Sequence, residues 1–387
     1  MSTSRRYLAF TGIRSDYDLL SGVYRQLHAA DDAEIGLIVS MAHMSSTYGR
    51  TVRFVEDDGI PIVARIEALL DSDSPSGRVK SAAILLQSCI HSVVAFAPNA
   101  IIVAGDREDA LVGAIAGVYL NLPVFHFFGG DHATDGNVDN PVRHAVSKLA
   151  STHFVTHEQH RKRLLRMGEP NTRIHVVGNP ALDRFREEEA WSRVRLLAEM
   201  EEPEWGQYAL VIFHSIQGRE DASSEDFENI LAVLRHLKLP AFVSAPNSDA
   251  GGRAIMEVIE RYRQDDSFHF YTNLPRPRFV NLMRHAAIMV GNSSAGLLEA
   301  PAVPLGVVNV GGRQGGRLSA GNVCFVGTSR EDIEHGIVTA LGSEFKQNLI
   351  NMTSPYGDGH SVDRIVEVLR TIDPAAIPKK VEDPLFV

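Results

Sequence analysis

The densest concentration of groups suited to chemistry lies in residues 288–325, IMVGNSSAGLLEAPAVPLGVVNVGGRQGGRLSAGNVCF. Ile288, Met289 and Val290 form a short apolar run that ends in Gly291-Asn292-Ser293-Ser294-Ala295-Gly296, and a helical pattern opens at Leu297. A strand, a tight loop and a helix start suit an anion: glycines such as Gly296 let backbone approach, Ser293 and Ser294 add donors, and helix N–H groups point outward. Glu299 is expected in the first helical turn, within reach of ribose hydroxyls. A second strand, 307–310, leads into Gly311-Gly312-Arg313-Gln314-Gly315-Gly316-Arg317, which sets two guanidinium forks on a glycine-rich loop. The combination reads as a site for a diphosphate carrying a ribose. It is neither a Walker loop nor a dinucleotide Gly-x-Gly-x-x-Gly.

Further candidates stand at strand ends, where α/β domains present reactive groups. Asp106 and Arg107 close the apolar run 100–103, although a strand-end Asp serves equally as a helix cap. Asp131, Asp135 and Asp139 share one glycine-containing loop, 126–140, and crowded carboxylates can raise one another's pKa and become a general acid or base; a solvated acidic loop is the plainer alternative. Arg143 and His144 begin the next helix, near any anion at its N-terminus, or form an ordinary surface pair. His214 follows the apolar run 209–213, and Asn247 lies in the strand-end loop 245–252, where it binds ligand or only builds a turn. No His/Asp/Glu cluster has metal spacing, and no serine nucleophile elbow occurs.

The elements that must position these residues alternate β-α-β along the chain, which predicts parallel sheets. In the first half, strands are expected at 7–10, 34–39, 100–103, 123–128 and 152–156, with helices at 18–30, 62–70, 77–96, 111–120, 141–150 and 157–167. Residues 187–205 are charged and lack a strand pattern, marking a boundary. Strands then recur at 208–213, 241–244, 268–271, 288–290 and 306–310, and an amphipathic helix at 362–372 precedes a proline-containing tail. The 387 residues suit two α/β domains, 1–182 and 183–361, facing a cleft, with 362–387 as a closing helix and tail.

Composition narrows the class. With 44% hydrophobic and 22% charged residues the chain is globular, and a net charge of −10 argues against a nucleic-acid partner. Two cysteines, Cys89 and Cys324, make no disulfide scaffold. Without a signal-peptide pattern or an uninterrupted apolar stretch near 18 residues, a cytoplasmic protein with no membrane partner is expected.

Taken together, the motifs resemble those of the UDP-N-acetylglucosamine 2-epimerases, specifically the hydrolysing branch that makes N-acetylmannosamine for sialic acid and related sugars. The resemblance is carried by TGIRSDYDLL, GDRED, HFFGGD through VRHAVSKLASTHFV, VVGNPALD, His214, APNSDAGGR, NLPR, GNSSAGLLEAP and GGRQGGRLSAGNV. It implies two Rossmann-like domains of the GT-B type, with the final helix crossing back to the first. It also implies anti elimination of UDP to a 2-acetamidoglucal, then hydration with inversion at C2.

On this resemblance Ser293, Ser294, Gly296, Glu299 and Arg313 hold the nucleotide, and Arg14, Asp106 and Arg107 come from the first domain. Asp131 and Asp139 supply proton transfer, His144 an anion contact, and His214 and Asn247 close on sugar or diphosphate. Neither cofactor nor metal is expected, and a homodimer or homotetramer is. Leu19, Arg107 and Arg143-His144 select the hydrolysing branch, since non-hydrolysing relatives carry lysine at the position of Leu19. Two positions depart from the pattern: Phe128 where relatives carry Glu or His, and Asn140 where they carry a carboxylate. The departures point to a different sugar, such as a 4-substituted or GDP-linked one, or to a weakened catalyst. The alternatives to a hydrolysing epimerase are a GT-B glycosyltransferase, which would leave C2 unlabelled in heavy water, and a non-catalytic nucleotide-sugar binder.

Overall fold

The computed structural model describes residues 5–70, 72, 74–135, 137–202, 205–216, 220–247, 251–381 and 383, with residues 220 and 221 described by backbone alone. Gly136 of the acidic loop and residues 248–250 of the Asn247 loop therefore lie outside the described residues. The chain divides into two compact units. One comprises Met1–His132, Val138–Asp183 and Tyr356–Val387; the other comprises Ala133–Asn137 and Arg184–Pro355.

The first unit is built on seven parallel strands: β1 (Arg5–Thr11), β2 (Ala33–Ser40), β3 (Ile62–Ile66), β4 (Ala100–Ala104), β5 (Val124–Phe127), β6 (Thr152–Val155) and β7 (Ile174–Val176). Their spatial order is β3-β2-β1-β4-β5-β6-β7. Because the order reverses direction between β1 and β4, the crevice at the carboxyl ends of those two strands is where such a sheet takes a ligand. Both ends carry expected site residues, Arg14 after β1 and Asp106 after β4.

Apolar side chains cover both faces. Tyr7, Ala9 and Ile102 join one cluster with Leu20, Val23 and Leu27 of the helix Arg14–His28 and with Ile365 and Leu369 of the helix Ser361–Thr371. Leu8, Phe10, Ile101 and Val103 meet Leu85, Cys89 and Val93 of the helix Pro75–Phe96 on the other face. That last helix is long and apolar enough to cross a membrane by length and composition. Its buried residues Gly77, Ser81, Leu85, Cys89 and Val93 recur every fourth position, the single stripe of a helix laid on a sheet.

The second unit carries β8 (Ala209–Ile212), β9 (Ala241–Ser244), β10 (Phe268–Tyr271), β11 (Ile288–Gly291), β12 (Val307–Val310) and β13 (Val323–Val326), all parallel, in the order β10-β9-β8-β11-β12-β13. Its switch point falls between β8 and β11, whose ends lead into His214 and into Asn292-Ser293-Ser294.

Several elements differ from the sequence reading. Residues 62–70, expected as a helix, begin with β3, an edge strand paired to β2 across a register shift; Ile62, Val63 and Ile66 are β-branched and favour it. The first helix starts at Arg14 rather than at residue 18, because extended Ile13 occupies the cap position, and the preceding loop shrinks to Gly12-Ile13. His126 belongs to β5 and Asp139 opens the helix Asp139–Leu149, so the acidic loop is shorter at both ends. The helix expected from Leu297 is a single turn, Ala295–Leu298, followed by a 3-10 turn at Ala300–Ala302. Pro301 ends it: it has no N–H to give the carbonyl of Leu297, and its ring would strike that carbonyl.

Candidate active site

In the first unit the candidates converge on Arg143. It is 4% exposed, and its guanidinium donates to Asp106 Oδ2 and, at 3.3 Å, to the carbonyl of Asp131. A guanidinium buried with a carboxylate partner is held in place as well as neutralised, so Asp106 is presented from a fixed position. The helix after β4 is capped positionally by Arg107, in extended conformation, rather than by Asp106. The helix-cap reading of Asp106 and the surface-pair reading of Arg143 are thereby excluded. Gly105, with φ at +74°, supplies the left-handed turn that brings Asp106 off the strand.

The three loop carboxylates have different local roles. Asp131 Oδ1 accepts from the backbone N–H of His132 at 2.8 Å and lies 3.4 Å from His160 Nε2. Asp135 builds its own turn, accepting from Asn137 N at 3.1 Å. Asp139 stands in the first helical turn, where a negative charge meets the positive end of the helix dipole. His144 Nε2 is 3.3 Å from His132 Nδ1, with the rings nearly parallel. Burial foremost, then the neighbouring His132 and Arg143, lower the pKa of His144 and keep it neutral.

Arg14 follows β1 and is held by Asp18 one turn on, at 3.0 Å, with its guanidinium 4.8 Å over the Phe54 ring. The loop before it is fixed by a residue that the sequence reading passed over. Asp109 is 2% exposed and accepts from the N–H of Gly12, and a Cβ at Gly12 would lie 2.5 Å from Asp109 Oδ1. Burial raises the carboxyl pKa of Asp109. His126 does the same service under Gly105. The carbonyl of Gly105 only accepts, so His126 Nε2 must donate at 2.8 Å, while Nδ1 lies 3.1 Å from the Ser147 hydroxyl, which donates to the carbonyl of Arg143 at 3.0 Å. Burial pushes the His126 pKa down to about 3, so the ring stays neutral.

In the second unit the organiser is Asn292, fully buried at the end of β11. Its side chain clamps the backbone of His214, accepting from His214 N and donating to His214 O, each at 2.8 Å. Its carbonyl accepts from Arg313 at 3.1 Å and from Gln314 at 2.9 Å. His214 Nδ1 accepts from Asn247 N at 3.3 Å, which places a neutral ring's proton on Nε2. One buried asparagine thus gathers His214 and, through it, Asn247 by its side chain, and Arg313 by its main-chain carbonyl. Gly291 makes this possible: its φ is +141°, and a Cβ there would sit 2.1 Å from the carbonyl of Ile212.

Ser293 and Ser294 form the turn that follows. The Ser293 hydroxyl accepts from Ala295 N at 3.3 Å, while Ser294 at the cap position makes no side-chain cap bond. Gly296 faces β12, where a Cβ would meet Val307 Cγ1 at 2.8 Å, so this glycine admits close packing. Glu299 ends the helical turn, outside the first turn expected for it, and pairs with Arg276 at 2.6 Å. Arg276 lies over the rings of Phe185 and Phe279. Gly315 and Gly316 leave room for Thr134: its N–H donates to Gly315 O at 2.8 Å, and added Cβ atoms would fall 2.9 Å and 2.7 Å from its side chain. Asn292, Arg276 and Asp109 each stood inside a motif quoted from the sequence, GNSSAG, NLPR and GDRED; their spatial partners were the missing information.

Two parallel doubly wound units with polar residues at the carboxyl ends of their strands define a two-domain α/β class of fold. The family described as UDP-N-acetylglucosamine 2-epimerase matches residues 25–370, and the chain belongs to it. It is similar to the UDP-N,N'-diacetylbacillosamine 2-epimerase (hydrolyzing) of Legionella pneumophila, 32% identical over 95% of this chain and 96% of that protein. It is also similar to the UDP-N-acetylglucosamine 2-epimerase of Neisseria meningitidis, 31% identical over 81% of each. Among solved structures, UDP-GlcNAc 2-epimerase from Neisseria meningitidis bound to UDP-GlcNAc matches with a TM-score of 0.79 at 18% identity, covering 94% of this chain and 99% of that one. The two-domain GT-B-like architecture is shared.

Proposed function

We propose that this protein is a hydrolysing 2-epimerase of UDP-linked 2-acetamido sugars. A base takes the proton at C2, the C–H electron pair becomes the C1–C2 double bond, and the C1–O pair leaves with UDP. Water then gives its oxygen to C1 while C2 is protonated on the opposite face, releasing the free 2-epimer. The observation that carries this reading is the end-to-end match to a hydrolysing 2-epimerase, at 32% identity over 95% of the chain.

Asp106, Asp131 and Asp139 supply the carboxylates for proton transfer, with Arg107 and His214 at the departing diphosphate. Arg14, His144, Asn247, Ser293, Ser294, Glu299 and Arg313 bind the nucleotide sugar, with Gly296 shaping the turn. The sugar we favour is the 4-acetamido-4,6-dideoxy one named for the Legionella relative. Half-buried Phe128 at the end of β5 offers an apolar surface, which suits a methyl and an acetamido group better than hydroxyls. The product would be an N-acetylmannosamine-type sugar feeding the synthesis of nonulosonic, sialic-type acids in the cytoplasm, made by a homodimer or homotetramer. Incubation with UDP-N,N'-diacetylbacillosamine and with UDP-N-acetylglucosamine tests it: UDP and a free sugar are expected, with faster release from the former. Release of neither from folded protein would refute the reading.

A further inference from the structure

The proton that leaves C2 needs an acceptor, and Asp106 and Asp131 of the first unit already accept hydrogen bonds. Asp106 is bonded to the buried guanidinium of Arg143, and Asp131 Oδ1 takes His132 N at 2.8 Å with His160 Nε2 at 3.4 Å. Phe128, which follows β5, has no group that takes up a proton. The same cluster contains two imidazoles joined to each other. His132 follows Asp131 and His144 follows Arg143, their ring nitrogens Nδ1 and Nε2 are 3.3 Å apart, and their planes differ by 11°. Such a bond needs one N–H and one lone pair.

When His132 Nδ1 donates to His144, the neutral pair leaves a lone pair on His132 Nε2, which has no partner among the described residues. His144 Nδ1, which is buried and unpartnered among the described residues, then carries the other hydrogen. A proton received at His132 Nε2 can move along the bond to His144. There burial, His132, Arg143 and Arg163 disfavour the cation and Asp131 favours it, so the proton is lent rather than kept.

We infer that His132 is the catalytic base of the elimination and that His144 is its positioning partner, the two acting as one proton-carrying pair. This rests on the 2-epimerase reading. His132 Nε2 takes the C2 hydrogen as a proton, the C–H pair forms the C1–C2 double bond, and UDP departs with the C1–O pair. Asp106, Asp131 and Asp139 remain for the hydration.

The test uses the full chain in heavy water with UDP-N,N'-diacetylbacillosamine, following UDP release and deuterium at C2. His132→Gln retains a hydrogen-bonding side chain and cannot titrate, so kcat should fall about 100-fold or more while UDP affinity stays within about threefold. His132→Ala should fall equally and regain rate in proportion to added free imidazole, a response that a merely structural role would not give. His144→Asn should displace one limb of the pH–rate profile without removing turnover. A His132→Gln enzyme within threefold of the parent overturns the inference and leaves the 2-epimerase reading standing. So does loss of UDP affinity in step with rate, without imidazole rescue. A parent enzyme that releases no UDP from either nucleotide sugar overturns both.

Discussion

The two switch points of this molecule are built from opposite materials. At the first, between β1 and β4, and in the segments after β5 and β6 beside it in the sheet order, charged and titratable side chains hold one another: Asp106 on Arg143, Arg14 on Asp18, His132 on His144, Asp131 near His160. At the second, between β8 and β11, one neutral amide holds the backbone, and the cations Arg313 and Arg276 are anchored through a carbonyl and through Glu299. Titratable groups in contact exchange and store protons; a rigid neutral frame with fixed guanidinium groups receives an anion without changing its own protonation. On the proposed reading, the contrast fits proton chemistry in the first unit and nucleotide binding in the second.

Asp106→Asn should produce the largest effect on turnover, about a thousandfold loss in kcat, with UDP affinity by calorimetry changed less than threefold. Collapse of UDP affinity with preserved turnover would reverse the assignment. Arg313→Ala and Glu299→Ala should do the opposite, weakening UDP binding about 10- to 100-fold with a smaller change in rate at saturation, as expected for loss of one or two charge-assisted bonds.

The glycines at the two switch points separate by denaturant titration. Gly291→Ala meets both φ +141° and a carbonyl 2.1 Å from the new Cβ, and should cost about 3 kcal/mol. Gly105→Ala meets only φ +74° with nothing within 4 Å, and should cost about 1 kcal/mol. Equal costs would mean that the close approach of Gly291 to Ile212 does not constrain the second unit.

The remaining expected effect is one of pH. Burial lowers His126 to about 3 and His43 to about 4, both in the first unit. Each folded pKa lies below the unfolded value, so the unfolded chain binds more protons as the medium acidifies. Their stabilisation is complete above about pH 6.5 and is lost as pH falls toward the folded values, at no more than about 1.4 kcal/mol per pH unit for each ring. Replacing His126 by Gln should flatten that slope. A denaturation midpoint constant between pH 6.5 and 4 would contradict the burial argument.

Much of this was legible in the chain itself. Apolar runs such as 241–244 and 288–290 fall on β9 and β11 because central parallel strands are buried on both faces. The edge strand β3 was not, since Ala64 and Arg65 break its run and its pairing with β2 is a long-range fact. The same distinction governs the site. Asp106, His214 and Ser293 announce themselves as strand-end residues, whereas what holds them does not: Arg143 stands 37 residues from Asp106, and Asn292 stands 78 from His214. Local pattern carries no trace of such pairs. Glu299 shows the converse error, a position fixed by a proline two residues on that helical periodicity alone overlooked.

Mass analysis of the sugar released in heavy water bears most directly on the assignment of proton chemistry to the first unit. One deuterium at C2 of a free 2-epimer, formed with stoichiometric UDP and lost together with turnover in Asp106→Asn, is the predicted result. A released sugar that keeps its original hydrogen at C2, or its original configuration there, would contradict it.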